Sequence, residues 1–305
     1  MIVALAGGVG AAKFLSGITQ LLNPEDLTVI ANTGDDIELY GLHISPDIDI
    51  VTYTLAGIVD QKKGWGIKND TFHCLGMLKK QGCETWFGLG DKDLATHIYR
   101  TNRISQGAKL NQITNEVCSS LGLKLKILPM SNDKFETKIE TPNGTMHFEE
   151  YLVKRKAQDP VLRVEFDGAA TAKPSVGVLE AILEAERIVV CPSNPVVSIG
   201  TILAVDGVRD ALKRTNAKKV AVTPIVSGLP IKGPADKIMR GLGLEVSAFG
   251  VAKLYSDFLD GFVLDQADVY QKERIEKLGL KVVVTNTLMT SLERKVALAK
   301  AVLDY

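Results

Sequence analysis

Residues 1–22, MIVALAGGVGAAKFLSGITQLL, decide the fold of this chain. The uncharged run from Ile2 to Ala6 is typical of a strand that is buried on both faces. Three glycines follow at once, and the apolar residues after them recur at helical spacing until Asn23-Pro24, which should end the helix. A strand, a glycine turn and a helix in this order aim free backbone N–H groups at an anion.

The turn itself predicts a phosphate site made by Gly7, Gly8, Val9 and Gly10, with Lys13 adding a mobile positive charge in the first turn of the helix. Neither GxGxxG nor GxxxxGK[ST] is matched, because Lys13 stands where the last glycine of the first motif would be. The alternative interpretation is an ordinary tight β–α connection that binds nothing.

Composition indicates a globular protein with no bulk preference for charged polymers. Hydrophobic residues make up 46% of the 305 residues and charged residues 24%, and Lys+Arg and Asp+Glu number 36 each. This balance predicts neither nucleic acid nor a membrane surface as a partner. The N-terminal apolar run lacks a basic region before it, and no apolar stretch approaches the length of a membrane span, so we expect a cytoplasmic protein.

The four cysteines lack metal-binding or redox spacing. Cys74, Cys83, Cys118 and Cys191 lie in apolar or helical stretches, which predicts buried, reduced thiols.

A second apolar run, Leu27 to Ala31, makes the opening a βαβ unit and its sheet parallel. From 47 to 122 the pattern turns helical, and we expect helices capped by Asn69, by Asp91 or Asp93, and by Asn111. Strands resume after 122. The prediction is an α/β protein: a Rossmann-like three-layer sandwich with a mostly parallel sheet (1–46 and 123–305) and an inserted helical subdomain (47–122).

One hairpin interrupts the second half of this core. Thr141-Pro142-Asn143-Gly144 is a strong turn signal between a strand near 137–140 and a strand predicted over 145–151. Apolar runs and helical stretches then alternate to the end of the chain, as parallel sheets require.

Polar loops follow several of the predicted strands. Pro192-Ser193-Asn194 follows one apolar run and Ser227 lies after another. The carboxyl ends of parallel strands are where open α/β sheets bind ligands, and these hydroxyl and amide groups suit a sugar, base or phosphate. Two rigid turns without a ligand are the alternative.

Four carboxylates fall within fifteen residues beside the glycine turn: Asp35, Asp36, Asp47 and Asp49. Carboxylates near a phosphate repel it unless a cation lies between them, and Mg²⁺ takes one or two carboxylates together with waters and phosphate oxygens. Asp47 and Asp49 follow Pro46, so one of them could instead cap a helix. His43 is a candidate base or ligand contact, with a structural role as the alternative.

The wording of the motifs resembles the 2-phospho-L-lactate transferase (CofD) family. The segments that carry the resemblance are LAGGVGAAKFL (5–15), NTGDDIELYGLHISPDIDIVTYTLAG (32–57), GWGIKNDTFHCL (64–75), WFGLGDKDLATHIYRT (86–101), ILPM (127–130) and CPSNPVVSIGTILAV (191–205). They extend over residues 3 to about 230. Ala11 and Lys92 depart from the family pattern, which often has glycine and arginine there.

This resemblance implies an enzyme of coenzyme F-420 biosynthesis. The family transfers a phospholactyl group from lactyl-2-diphospho-5'-guanosine to Fo (7,8-didemethyl-8-hydroxy-5-deazariboflavin), releasing GMP, with Mg²⁺ required. A homodimer is the family expectation. Positioning and charge neutralisation should account for most of such a reaction.

The resemblance also implies roles for single residues. The diphosphate would bind Gly7, Gly8, Val9, Gly10 and Lys13, and the guanosine would lie against Pro192, Ser193, Asn194 and Ser227. Asp35, Asp36 and Asp49 would be the metal ligands and catalytic carboxylates. Asn32, Asp49, Trp86 and Lys92 would contact the deazaflavin, with Trp65 a further stacking candidate.

A regulatory protein is the alternative from another class. A related family of non-catalytic, nucleotide-sugar-binding proteins of cell-wall and carbon metabolism shares the glycine turn and an acidic pair. Its chains have GGGTG and a later DDGGSSG, whereas here Asp35-Asp36 is followed by Ile37-Glu38-Leu39. A NAD(P) dehydrogenase is disfavoured because the dinucleotide fingerprint is absent.

Overall fold

The computed structural model describes all residues, 1–305, as alternating strands and helices. The strands are β1 (Ile2–Ala6), β2 (Leu27–Ala31), β3 (Ile37–Leu39), β4 (Leu42–Ile44), β5 (Lys126–Pro129), β6 (Glu136–Thr141), β7 (Gly144–His147), β8 (Arg163–Asp167), β9 (Arg187–Val190), β10 (Lys218–Val222), β11 (Ile225–Val226), β12 (Leu229–Pro230), β13 (Gly261–Asp265) and β14 (Lys281–Thr285).

The helices are α1 (Gly8–Ile18), α2 (Pro46–Leu55), α3 (His73–Lys80), α4 (Asp91–Ser105), α5 (Leu110–Ser120), α6 (Val178–Glu184), α7 (Ile199–Ala204), α8 (Val208–Arg214), α9 (Ala235–Gly241), α10 (Ala248–Tyr255), α11 (Lys272–Glu276) and α12 (Leu292–Leu303). Short 3₁₀ turns cover Pro24–Asp26 and Gln266–Gln271, and a π-helical turn covers Glu150–Lys154.

Seven parallel strands form the central sheet, in the order β14-β13-β10-β9-β1-β2-β5. The chain builds outward from β1 through β2 to β5, then returns and builds the other half from β9 to β14. The direction therefore reverses between β1 and β9, and ligands bind such sheets in the crevice at that reversal, beyond the carboxyl ends of the strands. The α/β, Rossmann-like prediction is confirmed.

Both faces of the sheet are covered, because successive side chains of a strand point to opposite faces. Val3 and Leu5 of β1 belong to one apolar cluster of 35 buried residues, and Ala4 and Ala6 belong to the other, of 25. The layers are thus helix, sheet and helix, as predicted from the uncharged first strand.

Helix α1 ends earlier than its apolar pattern predicts. It stops at Ile18, Leu21 is exposed, and Asn23 precedes the 3₁₀ turn instead of ending the helix. Near its end, Gly17 lies against α12 so closely that a Cβ there would be 2.5 Å from the Lys295 carbonyl. Glycine at position 17 therefore lets α1 and α12 pack closely.

The region from 47 to 122 is helical, but its helices differ in what they bury. Ile48 and Val51 of α2 and Cys118 of α5 pack into the same apolar cluster as β1 and β2. Helix α3 buries no residue, and α4 buries Asp93, Leu94, His97 and Arg100. Two of the helices are thus part of the sandwich, and the boundaries of a separate subdomain remain a prediction.

Helices α3, α4 and α5 begin with N-cap residues other than the predicted ones. Phe72, Gly90 and Lys109 occupy the N-cap positions, so Asn69, Asp93 and Asn111 are not caps. Asp91 is the first residue of α4, but its carboxylate accepts the N–H groups of His73 and Cys74 at the start of α3. Asp70 in turn accepts the N–H groups of Lys92 and Asp93 at the start of α4.

A second sheet, antiparallel and of order β7-β6-β8, lies outside the parallel one. The predicted hairpin is present, with Thr141 paired to Gly144. The strand predicted over 145–151 is only half right, because β7 ends at His147 and Tyr151 lies in the π-helical turn. The Thr137 N–H donates to the Gly34 carbonyl at 2.7 Å and attaches this sheet to the acidic loop.

Two expectations about the chain as a whole can be compared with the structure. All four cysteines are free thiols, but only Cys118 and Cys191 are buried, since Cys74 is exposed and Cys83 half-buried. None of the helices combines the length and the apolar character that a membrane crossing would require.

Candidate active site

Loops that follow β1, β2 and β9 meet at the carboxyl edge of the sheet. The Gly7 N–H donates to the Ser193 hydroxyl at 3.3 Å. A Cβ at Gly7 would lie 2.6 Å from the Ser198 Cβ and 2.8 Å from Asp47 Oδ2, which no side chain tolerates. Glycine at position 7 therefore allows the loop after β9 and the start of α2 to close on the turn.

The other two glycines of the turn serve different purposes. Gly8 has φ +69°, a left-handed conformation that glycine adopts without strain. A Cβ at Gly10 would lie 2.2 Å from the Pro192 carbonyl oxygen, so this glycine permits α1 to pack against the loop after β9. Pro192 is buried at that contact.

Asn32, at the end of β2, holds two of the carboxylates. Its Nδ2 donates to Asp35 Oδ2 at 3.0 Å and to Asp47 Oδ2 at 2.9 Å. Its Oδ1 accepts the Gly34 N–H and the Thr201 hydroxyl, both at 2.7 Å. Asn32 is fully buried, and every hydrogen-bonding group of its amide has a partner within the protein. Its predicted contact with a deazaflavin stays a prediction.

Asp36 is held from the neighbouring hairpin. His43 Nε2 lies 2.9 Å from Asp36 Oδ2, and the Ser45 hydroxyl donates to the same oxygen at 2.8 Å. The other carboxylate oxygen, Asp36 Oδ1, is buried without any hydrogen-bond partner, and so is Asp35 Oδ1. Buried polar atoms without partners are rare, and these two oxygens are available to coordinate a bound ion or to accept from a water.

A fifth carboxylate, which sequence reasoning missed, comes from the antiparallel sheet. Glu149 is buried beside Asp35, Asp36 and Asp47, and its carboxylate accepts no hydrogen bond. The sequence offered no signal for it, because Glu149 follows a hairpin more than a hundred residues from the glycine turn.

These carboxylates raise one another's pKa values. Burial, followed by the charges of Asp47 and Glu149, raises the pKa of Asp35 well above its usual value. Burial raises the pKa of Asp47 to about 7, against the opposing hydrogen bonds from Asn32 and Gly8. Burial and the charges of Asp47 and Asp36 raise the pKa of Glu149 to about 8. An arrangement of this kind favours a cation or a proton among the carboxylates.

Mg²⁺ fits these donors, because Asp35 Oδ1 and Asp36 Oδ1 are buried carboxylate oxygens that have no other partner. No group of three His, Cys, Asp or Glu side chains is preformed to hold a metal ion. Mg²⁺ does not need one, since it binds through one or two carboxylates and keeps waters and substrate phosphates as its other ligands.

Asp49 lies on the same helix as Asp47 but points elsewhere. Residues that are two positions apart on a helix point about 200° away from each other around its axis. The Asp49 carboxylate accepts hydrogen bonds from both terminal nitrogens of the buried Arg100, with Arg100 Nη1 at 3.0 Å from Asp49 Oδ2. His97 Nδ1 lies 3.7 Å from the same oxygen. The Asp49 carboxylate is thus engaged in a buried ion pair, whereas Asp47 faces the glycine turn; the metal-ligand role of Asp49 stays a prediction.

Three lysines without an ion-pair partner lie beside helix α1. Lys13 of α1 is exposed. Burial and the charge of Lys13 lower the pKa of Lys232, which follows β12, and the same two causes lower the pKa of Lys295 in α12. Lys13 is thus close enough to both lysines for its charge to act on them, and the three side chains place positive charge together beside α1.

The aromatic segment at residues 86–92 forms one wall of the inserted region. Trp86 is half-buried and packs edge-on against Phe87, with ring centroids 5.7 Å apart. Trp65 is exposed, and its ring would touch a Cβ at Gly88 at 2.6 Å. Lys92 is exposed, and its Nζ donates to the Asn69 carbonyl at 2.9 Å.

The predicted guanosine residues are spread over two loops. Asn194 Oδ1 accepts the Val196 and Val197 N–H groups, while its buried Nδ2 has no partner. Ser227 is exposed with φ +51°, and its N–H donates to Asp268. Only the first of these two loops contacts the glycine turn directly, through Ser193.

Comparisons with known proteins agree on the family. The family model described as "2-phospho-L-lactate transferase CofD" matches residues 2–300. A phosphoenolpyruvate transferase from Kitasatospora aureofaciens is 44% identical over 99% of this chain and 96% of its own length. A 2-phospho-L-lactate transferase from Methanosarcina mazei is 43% identical over 99% of both chains.

Among solved structures, a UPF0052-family protein from Bacillus halodurans has a similar fold. The TM-score is 0.68 with 18% identity, over 99% of this chain and 98% of that one. At this identity the similarity concerns the fold alone.

Proposed function

The chain belongs to the 2-phospho-L-lactate transferase CofD family, and we propose that it transfers a phospholactyl group from lactyl-2-diphospho-5'-guanosine to Fo. The products are coenzyme F-420-0 and GMP. The observation that carries this proposal is the set of buried carboxylates with unpartnered oxygens beside a glycine turn, at the direction reversal of the parallel sheet. A diphosphate with its Mg²⁺ satisfies all of these groups at once.

In the proposed reaction the terminal ribityl hydroxyl of Fo attacks the phosphorus that bears lactate, and the bond to the GMP oxygen breaks. The N-terminus of α1 and the glycine turn bind the diphosphate, and Lys13, Lys232 and Lys295 supply positive charge nearby. Mg²⁺, when bound by Asp35, Asp36 and Asp47, neutralises phosphate charge and favours departure of GMP. One carboxylate of this set accepts the hydroxyl proton.

Fo is proposed to lie against Trp65 and the aromatic segment at residues 86–92, which joins α3 to α4. Trp65, which packs on Gly88, and Trp86 offer apolar surface to a flat tricycle, and Lys92 meets the ring hydroxylate. Trp65 is exposed, so its ring is accessible to a ligand from solvent. Pro192, Ser193, Asn194 and Ser227 are proposed for the guanosine side.

The test offers both donors to the purified protein. Chromatography measures GMP and the deazaflavin product with Fo, Mg²⁺ and either the lactyl or the enolpyruvyl donor, since relatives of both names are 43–44% identical to this chain. We expect turnover of the lactyl donor, and loss of turnover in EDTA. Turnover of the enolpyruvyl donor alone would show that the proposed donor is wrong, although the protein would still be a transferase.

Binding experiments distinguish the transferase from a regulator. Fo fluorescence should change on titration with the protein, and Trp65→Ala and Trp86→Ala should weaken that change. If Fo does not bind while a UDP-sugar does, the non-catalytic nucleotide-sugar-binding function replaces the proposed one. The homodimer and the cytoplasmic location also stay predictions, and sedimentation velocity tests the first.

A further inference from the structure

Among the carboxylates of the site, Glu149 is the one that comes from outside the parallel sheet. It follows β7, in the antiparallel sheet that the chain adds between β5 and β9. The acidic loop Asp35-Asp36 and the helix that carries Asp47 both follow β2. Glu149 therefore reaches the site through a separate docking of one sheet against the other.

Two hydrogen bonds hold that docking in place. The Thr137 N–H of β6 donates to the Gly34 carbonyl at 2.7 Å. The ring of His147 lies between the two units, with Nε2 at 3.1 Å from the Asp36 carbonyl oxygen and Nδ1 accepting the Glu149 N–H at 3.1 Å. The carbonyl can only accept and the N–H can only donate, so the ring is the neutral tautomer with its proton on Nε2.

The Glu149 side chain itself is left without a partner. The residue is only 6% exposed, yet no N–H, hydroxyl or cationic side chain donates to its carboxylate. Its neighbours at the site are the carboxylates of Asp35, Asp36 and Asp47. The adjacent Glu150, by contrast, is half-exposed and pairs with Lys154 at 3.2 Å. A buried carboxylate surrounded by others is unfavourable for stability unless a bound cation compensates for it.

We propose that Glu149 is a carboxylate of the cation site, and that it holds the hydrated Mg²⁺ directly or through one of its waters. The inference rests on the proposed function, since it concerns the same site. It adds that the antiparallel sheet is required for metal binding, with His147 acting as a positioning residue that fixes where Glu149 lies.

The test measures metal binding without any substrate. Mn²⁺ replaces Mg²⁺ as the probe, and calorimetry or the electron paramagnetic resonance of free Mn²⁺ gives the dissociation constant. Glu149→Gln should weaken Mn²⁺ binding at least about tenfold. Glu150→Gln, the matched control at the next residue, should bind as the wild type does. Glu149→Asp retains the charge on a shorter side chain and should fall between Glu149→Gln and the wild type.

Asp35→Asn separates this inference from the proposed function. If Asp35→Asn loses Mn²⁺ while Glu149→Gln and Glu149→Asp bind within twofold of the wild type, Glu149 does not serve the cation and the inference is wrong, although the proposed site stands. If all of these variants bind Mn²⁺ as the wild type does, or the wild type binds none, the cation site itself is wrong. Mg²⁺-dependent thermal stabilisation provides a second readout for a variant that is too unstable for titration.

Discussion

At the scale of single residues, two aspartates on one helix have opposite surroundings. Asp47 faces the glycine turn and Asn32, and burial raises its pKa to about 7. Asp49, two residues later, is matched by Arg100 in a buried ion pair. Spacing in the sequence made both of them candidate metal ligands. Asp47 has no cationic side chain as its partner, whereas the charge of Asp49 is compensated by Arg100.

Asp49→Asn should therefore act on stability. It leaves the buried guanidinium of Arg100 without its counter-charge, and breaking one side of a buried pair costs about 3–5 kcal/mol. Urea unfolding measures the loss. Asp206→Asn is the matched control, because Asp206 and Lys173 form an exposed pair that should contribute at most about 1 kcal/mol. If Asp49→Asn is as stable as the wild type but binds Mn²⁺ more weakly, the prediction is wrong and Asp49 is a metal ligand.

Glycine at position 10 is required for packing. Gly10→Ala places a Cβ 2.2 Å from the backbone oxygen of Pro192, so α1 or the loop after β9 has to move. We expect a loss of about 1–3 kcal/mol in the free energy of unfolding. Gly76→Ala is the control: it lies inside α3 with no atom within 4 Å of its Cβ, and should stabilise by up to about 1 kcal/mol. Equal stability of the two variants would contradict the packing role.

At the scale of elements, α3 and α4 cap one another's first turns. Each helix leaves N–H groups unpaired in its first turn, and each receives a carboxylate from the segment of the other, Asp91 for α3 and Asp70 for α4. The two caps link residues about twenty positions apart. Together they close the segment from 70 to 93, which includes Gly88, the residue that the Trp65 ring packs against.

Removing either carboxylate should loosen the start of the helix that it caps. Asp70→Ala and Asp91→Ala should each lower stability by about 0.5–2 kcal/mol. Hydrogen exchange should show faster exchange at the start of α4 in the first variant and at the start of α3 in the second. Asp133→Ala serves as a control, since that carboxylate accepts a backbone N–H from Lys173 in a different part of the molecule. Exchange that is unchanged at both helix starts would show that these contacts are dispensable.

At the scale of the whole molecule, the site combines a favourable topology with an electrostatic penalty. Seven parallel strands bring their carboxyl ends to one edge, and the loops after β1, β2 and β9 meet beside the direction reversal. The docked antiparallel sheet adds one more carboxylate to an already acidic crevice. Without a cation these charges oppose folding.

The metal-free protein should therefore lose stability as the pH rises. Unfolded Asp and Glu side chains have pKa values of about 4, whereas burial raises that of Asp47 to about 7 and that of Glu149 to about 8. Between these limits the folded state binds more protons than the unfolded state, so the free energy of unfolding falls with pH.

Urea unfolding in EDTA at pH 5.5 and pH 8.0 measures this effect, with an expected decrease of more than about 1 kcal/mol. Asp47→Asn should make the profile flatter, and excess Mg²⁺ should restore stability at pH 8.0. Asp206→Asn, at an exposed position, should leave the slope as in the wild type. A flat or rising profile in EDTA would show that the carboxylates are not coupled to folding.

The sequence by itself determined the features that local pattern controls. The uncharged run at residues 2–6 predicted a strand covered on both faces, and the three glycines with a helical repeat predicted the turn at the carboxyl edge. The resemblance of the motifs named the family correctly. The residues Thr141–Gly144 were also sufficient to predict the hairpin between β6 and β7, because a turn depends on a few adjacent residues.

Only the tertiary structure decided which polar groups face one another. Arg100 lies 51 positions from Asp49, and His147 lies 111 positions from Asp36. The helix caps were exchanged between segments for the same reason, and Glu149 joined the site only through the docking of a second sheet. A carboxylate in the sequence carries the same chemistry wherever it stands. Its partner, and therefore its role, is set by packing between segments that no local spacing relates.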